Sequence, residues 1–505
     1  MLSKIISAAV HGIDAVPITV ETDIAKGMPA MNIVGLGDLT VKEARERIRS
    51  AICNSGLEYP GGRITINMSP AGIRKRGSHF DLAMTMGILA SSKQFFDRDI
   101  EEYGFIGELS LDGCVKQCNG ILPMVTALRK KGLKNVILPK ANREEASLVS
   151  GIRLLPVESI TEVMNHFNLS CAIAPYSHDP LAFDLPSTTD TLLDFSDVKG
   201  QENIKRAITV AVAGGHSILM VGSPSTGKTM ISERIPSIMP KMNRNEIIET
   251  TMIYSVAGLL SEGQPYICVR PFRQPHYRIT AAGLLGGGAI PRPGEITLAD
   301  KGVLFLDEIG EFDKNIIDTL RLPLEKKKIS LVRKGETYLY PADFMLVAAS
   351  NPCKCGYYGD AAHQCVCSPH EITRYQAKLT GPIIDRIDMH IRLLPVNYNE
   401  LNCQTVESSK EMKEKIEFAR KIQRNRYRDQ SIVLNHQLDD HLIEKFAFLG
   451  LEQKKILEQA YEKYQLNPRT VLKVRKLART VADLDGGGSI QTKHLAEALQ
   501  YREKL

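Results

Sequence analysis

No stretch of this 505-residue chain approaches the roughly 20 uninterrupted apolar residues that a membrane-crossing helix requires, so the sequence predicts no such helix. Charge of one sign is not in excess. Lys and Arg number 64 against 58 Asp and Glu, a net charge of +6 that permits nucleic-acid binding without demanding it. Tryptophan is absent, and nothing about function follows from that. No internal period recurs, so a repeat array is not indicated. A signal-peptide pattern is also missing. The mildly apolar start Met1–Val10 is interrupted at once by His11 and Asp14, reads as a first strand, and leads to an expected cytoplasmic location. Disulfides are not implied by the ten cysteines: six are scattered in apolar or mixed sequence, as buried small hydrophobes are.

What is present is the composition of a globular protein, 43% hydrophobic and 24% charged, over a length that suggests three domains. Residues 1–170 carry short alternating runs such as Val16–Thr22 and Arg63–Met68, with helical character at Leu82–Leu89 and Leu122–Arg129, the pattern of an α+β domain. Residues 171–195, with Pro175, Pro180 and Pro186 among Ser, Thr and Asp, read as a linker. Residues 196–396 alternate strands and helices, which implies an α/β core with a parallel sheet. Residues 397–505 read as an all-α lid, with candidate helices at Leu401–Tyr427, Asp439–Phe446, Glu452–Tyr464, Pro468–Asp483 and Thr492–Arg502.

The most informative segment is Gly222-Ser223-Pro224-Ser225-Thr226-Gly227-Lys228-Thr229, which fits G-x-x-x-x-G-K-[ST]. An apolar run, Ser217–Val221, precedes it, and a helix start follows at Met230. In that context the loop amides can wrap phosphates, Lys228 can neutralise their charge, and the Thr229 hydroxyl can ligate Mg²⁺. A second buried strand, Gly302–Leu306, ends in Asp307-Glu308. The first acid can hold Mg²⁺ and the second can polarise an attacking water. A third, Phe344–Ala349, ends at Asn351, an amide placed to position that water. ATP and Mg²⁺ are the expected cofactors.

Cys353, Cys355, Cys365 and Cys367 form C-x-C-x₉-C-x-C. Four thiolates at this spacing can surround one structural Zn²⁺, although C-x-C is tighter than the usual knuckle; packed reduced thiols and a redox-sensitive pair are the alternatives. Between the acids and Asn351, Ile329–Tyr340 alternates on both sides of Lys334-Gly335 and reads as a β-hairpin with Arg333 and Lys334 at a basic tip. Lys410–Arg428 is basic but mixed in sign, more like a charged helix face than a DNA site.

With Asp194–Gln201, Gly214–His216, Pro271–His276, Gly286–Glu295, Val303–Glu308 and Asn351–Gly356, the chain resembles the YifB/ComM family of bacterial AAA+ ATPases, relatives of the ATPase subunit of magnesium chelatase and, more distantly, of MCM helicases. The resemblance implies a Lon-like N-terminal domain, matched by Lys75–Leu82 and Gly107–Gly113. It implies a homo-oligomeric ring, expected to be a hexamer. It implies an arginine finger at Arg386, a sensor arginine at Arg469, and pore positions for the Arg333–Lys334 hairpin and for Gly286–Gly294. His79 and Met124 stand where a Lon-type protease has its Ser and Lys, so no protease activity is expected. The family usually has Gly where this chain has Ser225; ATP binding is expected to survive if the local φ is negative. The implied activity is branch migration on DNA during recombination in natural transformation, with a protein-remodelling ATPase like the magnesium-chelatase subunit as the alternative.

Overall fold

The computed structural model describes residues 2–95, 99–177, 193–261, 263–288, 291–333, 335–360, 363–378, 383–395 and 407–502. Lys334, most of the segment between Tyr176 and Leu193, and the first residues of the helix expected from Leu401 lie outside them.

In the N-terminal region, alternation of period two buries Ile64, Ile66 and Met68 along Arg63–Ser69. That strand belongs to a seven-stranded sheet ordered Ala30–Val34, Arg63–Ser69, Asp14–Ala25, Leu2–His11, Tyr103–Phe105, Asn135–Pro139, Arg153–Val157. The central pair is an antiparallel hairpin running from Leu2 opposite Asp23 to His11 opposite Asp14; the flanking pairs at both ends are parallel. The helix Asp81–Ser91 is buried along its whole length, as expected of a segment apolar on every side. It packs with Leu39–Asn54 in a core containing Ile5, Ile18 and Val20, while Ile121–Lys130 packs with Ala8 and Leu138 in a second core.

The positions that the resemblance aligned with a Lon-type site, and their neighbours, are tied into this region's own packing. His79 is buried, with Nε2 3.0 Å from the Ala8 carbonyl, and burial lowers its pKa to about 4. Ser78 donates to the Glu108 carboxylate, the buried Lys75 donates to the Pro70 carbonyl, and Met124 is fully buried.

The second region holds five strands, ordered Phe272–Arg273, Val303–Leu306, Met345–Ser350, Ile218–Gly222, Met389–Leu393, and every pairing is parallel. Strands covered on both faces must be apolar throughout rather than alternating, which is how Ile218–Gly222 and Met345–Ser350 read. Ile218–Gly222, the first of these five strands along the chain, stands fourth in the sheet, so its connection and that of its neighbour Met345–Ser350 leave in different directions. Between such strands a crevice opens at their C-terminal ends.

The C-terminal helices are Ser409–Arg426, Asp440–Phe446, Leu451–Tyr464, Pro468–Leu484 and Thr492–Gln500. The first is fixed by a capping box of Ser408 and Glu411, and the fourth starts at Pro468 behind an Asn467 cap. These helices share one hydrophobic core with the parallel sheet and with the helix Glu202–Gly214; Met220, Val347, Ile416, Val474 and Leu495 all belong to it. The basic helix turns part of its charge inward. Arg420 donates to the Val212 carbonyl at 2.7 Å, and Arg426 pairs with the fully buried Asp483.

The N-terminal region and the parallel-sheet region are in contact. The Gly120 amide donates to the Ser255 carbonyl at 3.1 Å, and the Ser255 hydroxyl bonds the buried Glu145. The hairpin predicted over 329–340 is present as Lys328–Arg333 with Glu336–Pro341. His11, at the tip of the N-terminal hairpin, stacks on Tyr338 of this one at 4.6 Å.

Candidate nucleotide-binding site

The strand Ile218–Gly222 delivers its chain into the crevice, and the turn 223–227 passes it to the helix Lys228–Ile238. Gly222 has no room for a side chain: a Cβ there would lie 2.9 Å from Leu393 and 3.0 Å from the Thr226 hydroxyl. Thr226 donates to the Ser223 carbonyl at 2.8 Å and tightens the loop. The expectation of a negative φ at Ser225 is corrected: its φ is +63°, in the left-handed region. Glycine enters that region freely, whereas a residue with a Cβ pays about 1 kcal/mol. The serine itself carries no signal of this φ; the glycine usual at this position in the resembling family does.

Lys228 turns back over the loop. Its ammonium donates to the carbonyls of Gly222 at 2.6 Å and Ser223 at 2.9 Å and to Oδ1 of Asn351 at 3.2 Å. Burial lowers its pKa, while the nearby Asp307 and Glu308 work in the opposite direction. Thr229, next on the helix, donates its hydroxyl to Oδ2 of Asp307 at 3.1 Å. The other Asp307 oxygen accepts the amide of Glu308 at 3.0 Å. Glu308 itself is exposed and held at φ +50°, a conformation that surrounding structure must enforce.

Three adjacent parallel strands therefore bring Lys228–Thr229, Asp307–Glu308 and Asn351 to one edge. The residues fit a Mg²⁺-bound nucleoside triphosphate. An ammonium already surrounded by oxygen acceptors can exchange one for a phosphate oxygen, and a hydroxyl with a carboxylate is an oxygen donor pair suited to Mg²⁺. The helix of eleven residues directs its N-terminal amides at the same place.

Three models of the magnesium chelatase subunit ChlI match this chain: the N-terminal one over residues 20–142, the main one over 194–401 and the C-terminal one over 406–502. The uncharacterized protein YifB of Escherichia coli is 39% identical over 509 residues, covering 99% of this chain and 97% of that protein. The competence protein ComM of Haemophilus influenzae is 38% identical over 507 residues, with coverage of 99% and 97%. The chain belongs to the YifB/ComM family of magnesium-chelatase-like AAA+ ATPases. Likeness to the magnesium-chelatase 67 kDa subunit of Chlorobaculum parvum is narrower, 24% over 166 residues, which is 32% of this chain and 24% of that one.

The remaining residues singled out in the sequence lie around this edge or away from it. Arg386 ends a short helical turn, Ile384–Arg386, and its Nε bonds Glu325 at 2.7 Å. Arg469 is exposed in the first turn of Pro468–Leu484. One turn later Lys473 holds the carbonyls of Asp385 and Ile387, which ties that helix to the Arg386 turn. Arg333 is exposed at the hairpin tip, and Lys334 is outside the described residues.

The four cysteines converge. Cys353 lies 3.4 Å from Cys355 and 3.7 Å from Cys365, Cys355 lies 3.5 Å from Cys365, and all four sulfurs including that of Cys367 fall within 4.8 Å of one another. A disulfide is much shorter, about 2.05 Å, whereas four sulfurs about 2.3 Å from a tetrahedral Zn²⁺ stand about 3.8 Å apart.

Sequence reasoning assigned Pro224–Gly227 to the phosphate loop but no site role to the residues that meet it from elsewhere in the chain. A cavity of about 560 Å³ opens beside the phosphate loop, lined by Pro224–Gly227 and Met230, by Asp197–Lys199 and Gln201, and by Tyr357, Asp360 and His363 from the loop between the cysteine pairs. Chain-distant segments meet here, and the phosphate-loop motif that marks Pro224–Gly227 does not reveal which other segments join it.

Proposed function

We propose that this protein is an ATP-hydrolysing ring motor that remodels DNA, with branch migration of recombining strands as its activity. The observation carrying the ATP part is the contact of Lys228 with Asn351 and of Thr229 with Asp307 across three strand ends. In this reading Lys228 and the loop amides hold the phosphates, Thr229 and Asp307 hold Mg²⁺, which supplies charge neutralisation when bound, and Glu308 polarises the attacking water with Asn351 orienting it. Arg386, at a subunit edge of a homo-oligomeric ring, reaches the neighbour's nucleotide by exchanging Glu325 for phosphate, and Arg469 serves as a second sensor. A Zn²⁺ ion held by Cys353, Cys355, Cys365 and Cys367 has a structural role, because four protein ligands leave no open position.

The DNA part is supported by the likeness to ComM, named as a competence protein, and by the exposed Arg333 on a hairpin braced from behind by His11. Remodelling of a partner protein, after the magnesium-chelatase relatives, is the second reading, supported by the family models. The deciding assay is ATP-dependent resolution of a synthetic three- or four-strand junction, with linear duplex as control. The DNA reading expects resolution by the wild type, and it expects Arg333→Ala with Lys334→Ala to lower the slope of log affinity against log salt by roughly one unit per lost phosphate contact. Absence of ATP-dependent DNA binding by the wild type removes the DNA reading and leaves the protein-remodelling one.

A further inference from the structure

The loop between the two cysteine pairs leans on the phosphate loop at one end and lines the nucleotide cavity at the other. It leaves the sheet directly after Asn351, the residue that contacts Lys228, and Cys353 is fully buried two positions later. Gly356 then passes so close to the phosphate loop that a Cβ would stand 2.7 Å from the Pro224 ring, at a φ of +90°. Beyond it Tyr357 lines the cavity, and its ring stands 4.8 Å from that of His363. The Asp360 carboxylate, with a side chain only 2% exposed, accepts the His363 amide at 2.9 Å and holds the turn. Across the cavity stand Asp197–Lys199 and Gln201.

Phosphates bound at the Lys228 helix start would leave the base and ribose to occupy this cavity, where a tyrosine ring offers a stacking face. Among the described residues between Cys353 and the helix Pro369–Lys378, turns and the sulfur cluster take the place of regular structure. A metal ion joining all four sulfurs would close it from both ends.

We propose that Zn²⁺ bound by Cys353, Cys355, Cys365 and Cys367 sets the nucleotide affinity of this protein, by fixing Tyr357 as a wall against the base-and-ribose end of the bound nucleotide. The proposal rests on the nucleotide-site reading above and adds a metal-dependent specificity element to it.

The test uses the full-length protein, metal analysis, and equilibrium titration with a fluorescent N-methylanthraniloyl ATP analogue. Purified protein is expected to carry about one Zn²⁺ per chain. Stripping the metal with a thiol reagent and chelator is expected to weaken the analogue about tenfold or more, and Zn²⁺ added after thiol recovery is expected to restore it. Tyr357→Ala leaves the sulfurs intact, so it should keep its zinc and lose about tenfold in affinity, the scale of one base–aromatic stack. This variant decides the matter if stripped protein loses its fold by far-ultraviolet circular dichroism. Lys228→Ala should keep zinc and lose the analogue. If zinc-loaded wild type does not bind the analogue, the nucleotide reading itself fails. If wild type binds while Lys228→Ala does not, and Tyr357→Ala binds like wild type, that reading stands and the metal-supported wall is overturned. A zinc-free preparation with full affinity overturns it as well.

Discussion

Asp81 and Asp307 are both carboxylates beside a sheet, and their surroundings could hardly differ more. Asp81 lies in the N-terminal domain with a side chain fully withdrawn from solvent, gripped by Arg47 through contacts of 2.8 and 3.1 Å. Burial raises its pKa to about 6 even against the pull of that guanidinium. Asp307 lies at the open C-terminal edge of the parallel sheet, sharing one oxygen with a hydroxyl and the other with an amide. Partners of the first kind cannot be exchanged without stranding a buried charge. Those of the second kind are neutral, weaker and easily traded for a cation. The difference extends to the two regions: Lys75, His79 and Glu145 are enclosed in the N-terminal domain, whereas Lys228, Thr229, Asp307 and Glu308 are only partly enclosed or exposed. The enclosed groups named here hold structure together, and those at the strand ends stand ready for chemistry; the parallel-sheet region also has enclosed charges of its own, such as Lys205 and Arg270.

The sharpest way to break this contrast is to neutralise one carboxylate at the open edge. Glu308→Gln is expected to retain nucleotide binding and lose at least about a hundredfold in steady-state ATP hydrolysis, the low end of what a positioned base contributes. Its melting temperature should stay close to wild type, because an exposed side chain is altered. Turnover near the wild-type rate would remove Glu308 from the reaction.

The opposite signature is expected in the N-terminal domain. Asp81→Ala removes the carboxylate that grips Arg47, which keeps its bond to the Thr40 carbonyl, and unfolding in urea should show a loss of about 2 kcal/mol. ATP hydrolysis per folded molecule should be unchanged. A stable variant with impaired turnover would mean that the buried pair communicates with the nucleotide site and would erase the division drawn above.

The smallest effect is expected at Ser225. Replacement by glycine relieves the left-handed φ of +63°, partly offset by the freedom glycine brings to the unfolded chain. A net gain of about 0.5 kcal/mol in thermal unfolding, with nucleotide affinity within a factor of two, is the expected result. Marked destabilisation by Ser225→Gly would show that the serine side chain contributes a contact worth more than the strain.

The phosphate loop, the acids after Val303–Leu306, the amide after Met345–Ser350 and the hairpin around Gly335 were legible because each is a local pattern. Short-range sterics and hydrogen bonding write strand, turn and helix start into consecutive residues. The C-terminal helices were legible from their helical pattern, although not their membership in one core with the sheet, since a periodic apolar face does not name its partner. The sequence also announced a cysteine cluster, because ligand spacing is local, yet left its state open among metal, packed thiols and a redox pair.

Other features depended on the closed fold. Strand order decided that the ends of Ile218–Gly222, Val303–Leu306 and Met345–Ser350 lie side by side, which turns three separate motifs into one site. The φ of Ser225 is positive, against expectation. Packing brought His11 onto Tyr338, Ser255 onto Glu145, and the cysteine loop onto Pro224. By itself the sequence determined which residue types could bind a nucleotide and a metal, because that depends on chemistry within a few consecutive positions. Only the tertiary structure decided which of them face one another, because contacts between residues 78 to 123 positions apart, as Thr229–Asp307 and Lys228–Asn351 are, are fixed by burial of the sheets and helices between them, not by any preference of the residues that meet.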